Sequence, residues 1–348
     1  MFQLNKSKIF RSTVCFLAAV GLAACSTSTS NTTAEKATEE SAPALETINI
    51  AYMPNYASLH DIIAGVNSGI FEEEGLDVKL VEFADGPTII AAMESGTIDI
   101  GNIGPGAHKL PIEGRAEVIS FSQLGNADEV IGRTDKGVNS LADLKGKKIA
   151  SASGTSAETI LRLALAEAGL AETDVEIVDM DASAIVTAMI SGSIDAAATW
   201  SPNTTAIKDE LGDKAVSLAN NVRYAKEFPS IASYATTPGY SEKNSGKVAK
   251  FLKGLYRAMD YRAEHEEEVA EWTAKQIGGD VATIKEQLND GDWLTSKQIK
   301  ELIDSGDLKV YYEKQQENFI KAGAVSAPRD VTEYVFIDQM SKALDSLK

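Results

Sequence analysis

The octapeptide AMESGTID, from Ala92 to Asp99, returns as AMISGSID from Ala188 to Asp195, at a constant offset of 96 residues. A chain that repeats itself at that separation is built from two copies of one folding unit. In the first copy Val78, Leu80, Val81 and Phe83 predict a strand, Asp85 offers an N-cap oxygen, and Ile89, Ile90 and Met93 mark the inner face of a helix. Gly96 ends that helix as its C′ glycine, and Ile98 to Asn102 begins the next strand. The second copy repeats the order with Val175 to Val178, Asp181, Ile185, Val186, Met189, Gly192 and Ile194. A strand, a crossover helix and a parallel strand form a right-handed unit whose ligand groove lies at the carboxyl ends of the strands. Two such units facing one another make a cleft.

The 348 residues, 44% of them hydrophobic, suffice for two α/β lobes of roughly 100 to 150 residues each. Residues 1–24 read as an export signal: Lys6, Lys8 and Arg11 precede an apolar stretch too short to span a membrane, which closes on Leu22-Ala23-Ala24-Cys25. Cys15 falls inside the removed segment, so the mature chain holds one cysteine, and neither a disulfide nor a thiolate metal site is expected. Residues 25–46 are polar and nearly free of large apolar side chains, which predicts a flexible tether. Loss of the leader lowers the formal net charge from −18 to −21, a poor surface for nucleic acid.

Topology places four loops at the cleft. One follows the strand Ile48 to Tyr52 and runs through Pro54, Asn55, Tyr56 and Ser58 into a helix predicted from Asp61 to Ser68. The second is Asn102-Ile103-Gly104-Pro105-Gly106. The third, Ser153-Gly154-Thr155-Ser156, opens a strongly periodic helix and combines backbone N–H groups, hydroxyls and a helix N-terminus, a setting for anionic oxygens. The same hydroxyls would also serve as simple helix caps. It lacks the lysine of a nucleotide-hydrolase phosphate loop. The fourth is Trp200-Ser201-Pro202-Asn203, with Trp200 at the position of Gly104 in the first copy. Trp200 is either an apolar wall against a ligand or a core side chain.

The segments IAYMPN, SGIFEEEGLDVKLVEF, GPTIIAAMESGTIDIGNIG, LADLKGKKIASASGTSAETILRLALAEAGL and AMISGSIDAAATWSP resemble, in this order, the solute-binding lipoproteins of ABC importers. They are most similar to the branch for nitrate, taurine, alkanesulfonates and thiamine pyrimidine precursors. The resemblance, from about Glu46 to beyond Tyr334, implies an α/β type II periplasmic-binding-protein fold, with two lobes joined by two crossing strands. Lobe 1 would comprise residues 47–127 and 232–348, lobe 2 residues 128–231, with crossings near Phe121 to Ile131 and Ser230 to Thr236. C-terminal helices would pack back on lobe 1, in keeping with helical periodicity from Lys247 to Ala274 and an all-helical tail through Trp293, Ile299 and Leu302. The LAAC sequence resembles a lipobox, implying cleavage before Cys25 and lipid on its sulfur. By position, the family's ligand loops fall on Asn55, Tyr56, Gly86, Pro87, Asn102, Gly104, Gln123, Thr155, Ser156, Asp181 and Trp200. Ser201 departs from the acidic residue or glycine frequent there in relatives, which weakens a taurine reading unless Asp181 pairs the amine. These loops contain no arginine, so a sulfonate or nitrate would rely on backbone N–H groups, hydroxyls and a histidine.

The resemblance thus implies an extracytoplasmic, lipid-anchored, monomeric receptor that closes on a small solute and delivers it to a permease and its ATPase, with no cofactor, metal or catalysis. An alkanesulfonate, taurine or nitrate is the leading ligand class. A pyrimidine or other neutral heterocycle is the alternative, supported by Pro54-Asn55, Tyr56, His60 and Trp200. A sensor or an enzyme on the same fold is more remote. His60 and His108 follow cleft turns but read first as ordinary positions near helix starts, and they lack zinc-ligand spacing. Glu72 to Glu74 and Glu266 to Glu268 read as solvated helix faces, and Asp99 and Asp195 as structural groups at strand starts.

Overall fold

The computed structural model describes residues 44–347 except 126 and 227, so the readings of the leader, Cys25 and most of the tether lie outside the described residues. Among the described residues, eleven strands form two separate sheets. The first contains β1 (Glu46–Tyr52), β2 (Leu76–Glu82), β3 (Ile100–Ile103), β4 (Glu117–Gly125), β10 (Ile231–Thr236) and β11 (Gly291–Asp292), in the order β11-β4-β10-β3-β1-β2. The second contains β5 (Asp128–Arg133), β6 (Lys148–Ser151), β7 (Glu176–Asp179), β8 (Ala196–Trp200) and β9 (Ala215–Asn220), in the order β7-β6-β8-β5-β9. In each sheet three parallel strands adjoin one antiparallel strand, β10 in the first and β5 in the second. The chain passes between sheets from Gly125 to Asp128 and returns from Asn220 to Ile231. This is the type II periplasmic-binding-protein architecture that the resemblance implies.

Seven helices matter for the site: α1 (Tyr56–Asn67), α2 (Gly86–Glu94), α3 (Ser156–Glu167), α4 (Ala182–Ser191), α5 (Ser245–Glu264), α6 (Glu266–Ile277) and α7 (Asp307–Lys321). The duplicated phrase accounts for α2 with β3 and α4 with β8. Both helices end at a glycine with positive φ, Gly96 at 79° and Gly192 at 75°, where a side chain would be strained. Both aspartates that end the phrase staple a neighbouring strand. Asp99 Oδ2 accepts from the Asn49 N–H at 2.8 Å, and Asp195 Oδ2 accepts from the Lys148 N–H at 3.0 Å. The run Ala196–Ala198 is fully buried because helices cover both faces of that central strand, and small side chains let them approach.

Three readings need correction. The first helix starts at Tyr56, five residues before Asp61, because Asn55 caps it by accepting from the Ser58 N–H at 2.8 Å. The periodic stretch from Lys247 to Ala274 is two helices, broken at His265, whose φ of −134° leaves the helical region. The tail is not wholly helical: Gly291 and Asp292 pair with Gly125 and Leu124 as the edge of the first sheet. α5 and α7 pack on the first sheet as expected, burying Val248, Phe251, Leu252, Leu255, Leu308 and Tyr312 with Ile48, Ile50, Ile100 and Phe121.

Candidate functional site

The carboxyl ends of β1, β3, β6 and β8 converge on a cavity of about 80 Å³ between the two sheets. Roughly 10 to 15 Å³ of such space holds one water, so a compact solute fits and a macromolecule does not. Asn55, Gly86, Pro87, Asn102, Gly104, Gln123, Thr155, Ser156 and Trp200 line it. Trp200 does two things at once, facing the cavity and packing its ring on the core of the second lobe.

Two residues assigned to ligand by position lie elsewhere. Tyr56 is buried beneath the cavity, edge-on to His60 at 5.1 Å and to Trp293 at 5.4 Å between ring centres, while its N–H donates to Gln287 Oε1 at 2.9 Å. Its place on α1 turns the ring into the core, so it supports the site from behind. Asp181 is exposed at the start of α4 and makes no cap there. Its counterpart Asp85 caps α2 through the Thr88 N–H at 2.8 Å and does face the cavity, so the duplication fails at this point.

The histidines are structural. His108 is fully buried, with Nε2 2.8 Å from Ser233 Oγ and Nδ1 3.1 Å from the Gly104 carbonyl oxygen, and burial pushes its pKa down to about 4. His60 sits in the Tyr56 and Trp293 cluster, where burial and the Arg262 charge hold it well below the ordinary range. Both are therefore neutral near pH 7.

The glycine-bearing loop at the start of α3 faces the cavity, and the protein's own carboxylates take three of its donors. The Ser153 N–H donates to Asp179 Oδ1 at 2.9 Å, the Gly154 N–H to Glu158 Oε2 at 2.7 Å, and the Ser156 hydroxyl to Asp128 Oδ1 at 2.6 Å. Glu158 in the first turn and the nearby Asp128 offset part of the positive end of the helix dipole, while the N-cap Thr155 makes no side-chain cap. An external anion there would compete with, and be repelled by, groups in place.

Positional reasoning missed the acidic character of the cavity. Asp85, Asp128 and Asp290 line it, and among the described residues no lysine, arginine or histidine does. Asp128, the first residue of β5, also accepts from Asn221 Nδ2 at 2.9 Å. Burial pushes its pKa up to about 6 against those hydrogen bonds, and the charge of Asp290 pushes the same way. Asp290 is raised as well, chiefly by burial, although the Ser201 hydroxyl opposes the shift. Asp290 and Gln287 arrive on a C-terminal excursion that neither repeat encodes. Arg262 anchors it, donating to the carbonyl oxygens of Trp293 at 3.0 Å and Leu294 at 2.6 Å while reaching Asp61 at 3.3 Å.

Residues 58–269 match the family model described as NMT1/THI5 like. A protein of Brucella abortus named only as a binding protein is 32% identical over 84% of this chain and 90% of its own length. An aliphatic sulfonates-binding protein of Bacillus subtilis is 27% identical over 79% of this chain and 81% of its own. Among solved structures, the alkanesulfonate-binding protein SsuA from Xanthomonas axonopodis pv. citri, bound to MOPS, superposes with a TM-score of 0.64 at 20% identity. That match covers 84% of this chain and 99% of the other. At that identity the structural likeness establishes the fold.

Proposed function

Because the chain belongs to the NMT1/THI5-like family, we propose that it is the extracytoplasmic receptor of an ABC importer, closing two lobes on a small organic solute and presenting it to a permease. Domain closure is the mechanism. A solute that touches both lobes only when they meet stabilises the closed form by its differential contact, and the permease reads that form. The cavity walls come from both sheets, which suits such a clamp. The relatives named above are binding proteins, and neither histidine reaches the cavity to act as a base, which favours binding without chemistry. The leader and Cys25 favour export and a lipid anchor.

For the ligand, the observation that carries the reading is the absence of any cationic side chain among the described lining residues, beside three carboxyls. An uncharged or cationic heterocycle of the aminopyrimidine kind fits that lining better than a free oxyanion, with the Trp200 ring as a flat apolar wall. Small-angle scattering and calorimetry with an aminopyrimidine, an alkanesulfonate, taurine and nitrate test both parts. Compaction and heat with the aminopyrimidine are expected. Compaction with nitrate or a simple alkanesulfonate alone would reverse the ligand class and keep the receptor.

A further inference from the structure

We propose that Asp128 and Asp290 form a subsite for a positively charged nitrogen, an ammonium or amidinium on a compact ligand, with Gln287 donating to a neighbouring acceptor on the same molecule. The inference rests on the receptor reading and deepens it.

The two carboxyls belong to different sheets and line one cavity. Asp128 opens β5 of the second sheet, and Asp290 immediately precedes β11, the strand that edges the first. A cation between them would tie the lobes together, which is what a closing receptor needs from its ligand. Both face one cavity and each is penalised by burial, and among the described residues no cationic side chain lines that cavity, although the Lys208 charge offsets part of the penalty on Asp290. Lys208, whose charge reaches Asp290, is paired with Glu129 at 3.0 Å. Arg262 is committed to Asp61 and to two carbonyl oxygens. Asp290 Oδ2 is buried with no hydrogen-bond partner, and a buried carboxylate oxygen left so costs the full loss of its hydration.

Gln287 supplies a second, independent observation. It lines the cavity, is 2% exposed, and has its Oε1 fixed by the Tyr56 N–H, yet its Nε2 is buried without a partner. A free donor and a free acceptor oxygen on residues lining one cavity call for a ligand carrying both kinds of group. Charge-assisted hydrogen bonds from an ammonium or amidinium to two desolvated carboxylates are the strong kind.

The test is calorimetry on the mature chain with 4-amino-5-hydroxymethyl-2-methylpyrimidine and benzamidine as cation-capable probes. Toluene-4-sulfonate and a pyrimidine lacking the amino group are the matched controls. The amino-bearing probes should bind at least tenfold tighter than their controls, and Asp290→Asn should remove that preference without lowering the thermal midpoint of the empty protein. Asp128→Asn provides the second variant. Should either variant fold poorly, mass spectrometry of the solute that copurifies with the unaltered protein reads the same question, a basic nitrogen being expected. Equal affinity for probe and control, or a copurified solute without a basic nitrogen, overturns the subsite and leaves the receptor standing. No compaction with any probe and no copurified solute would overturn the receptor reading and the subsite together.

Discussion

Gly106 in the first lobe lies flat against the peptide joining Thr155 to Ser156 in the second, so closely that a Cβ at 106 would overlap the Thr155 carbonyl group and the Ser156 nitrogen. Its own φ is not in the left-handed region, so the glycine is required by the approach of two backbones and not by local conformation. Around this contact Lys109 Nζ stands 4.0 Å from Glu158 Oε2, and a Cβ at Gly154 would sit 3.2 Å from the Pro87 ring. If the lobes open and close as proposed, this seam is a contact that opening would break.

Gly106→Ala should therefore oppose closure while sparing the folded lobes. Ligand affinity is expected to fall by roughly tenfold or more, about 1.4 kcal/mol for each factor of ten, with the thermal midpoint of the empty protein little changed. Scattering with saturating ligand reads it directly. A variant that compacts and binds like the unaltered protein would show that the contact does not control closure.

Asp99 and Asp195 should matter for stability and not for ligand. Asp99 also accepts from the Tyr240 hydroxyl at 2.9 Å, so its removal strands two donors. Asp99→Ala is expected to cost about 1 to 3 kcal/mol in urea unfolding, and Asp195→Ala a similar amount, with affinity unchanged at temperatures where both variants stay folded. A large affinity loss in a stably folded variant would contradict the structural role.

Much of the fold was legible because both repeats obey local rules: an alternating strand, a helix of period 3.6, a terminal glycine, and an aspartate that reaches the next strand. Loops at strand ends follow from the same topology, which is why Asn55, Gly104, Thr155 and Trp200 line the cavity. Tyr56 was misplaced because the side to which a helix turns a given ring depends on what packs against it, here Trp293 in the loop after β11. Asp181 was misplaced because a duplicated phrase does not oblige both copies to present the same loop. Asp290 was invisible for a different reason. Its position depends on Arg262 and on pairing with β4, contacts separated by many residues and carrying no periodic signal.

Two buried groups should bend the pH profile of stability in opposite directions. Burial raises Asp128 from an unfolded value of about 3.9 to about 6. Its contribution is thus fully present below pH 3.9 and is lost as pH rises through 6. Burial depresses His108 from about 6.5 to about 4, so its contribution is present above pH 6.5 and is lost as pH falls through 4. Asp61, raised to about 6 by burial despite Arg262, adds to the first trend, and His60 adds to the second. Urea midpoints of the unaltered protein should vary little between pH 4 and 6. Asp128→Asn should tilt the profile toward lower stability in acid, and His108→Gln should tilt it the other way. Parallel profiles for all three proteins would refute the assignment.

Gly104 and Trp200 occupy the same place in the two copies, yet one leaves space and the other fills it. A Cβ at 104 would meet nothing within 4 Å, and the backbone there, with φ −78° and ψ 171°, accepts any residue. Trp200 fronts the cavity and packs on the second core. Gly104→Leu should fold with a stability within about 0.5 kcal/mol of the unaltered protein, because it disturbs no existing contact. Its side chain would occupy the cavity, and binding should fall at least a hundredfold. Trp200→Ala should instead lose on both counts, with about 1 to 3 kcal/mol of stability removed from the second lobe along with affinity. Thermal melts and calorimetry on the pair separate the two roles. A Gly104→Leu protein that binds every ligand as tightly as before would place the binding site somewhere other than this cavity.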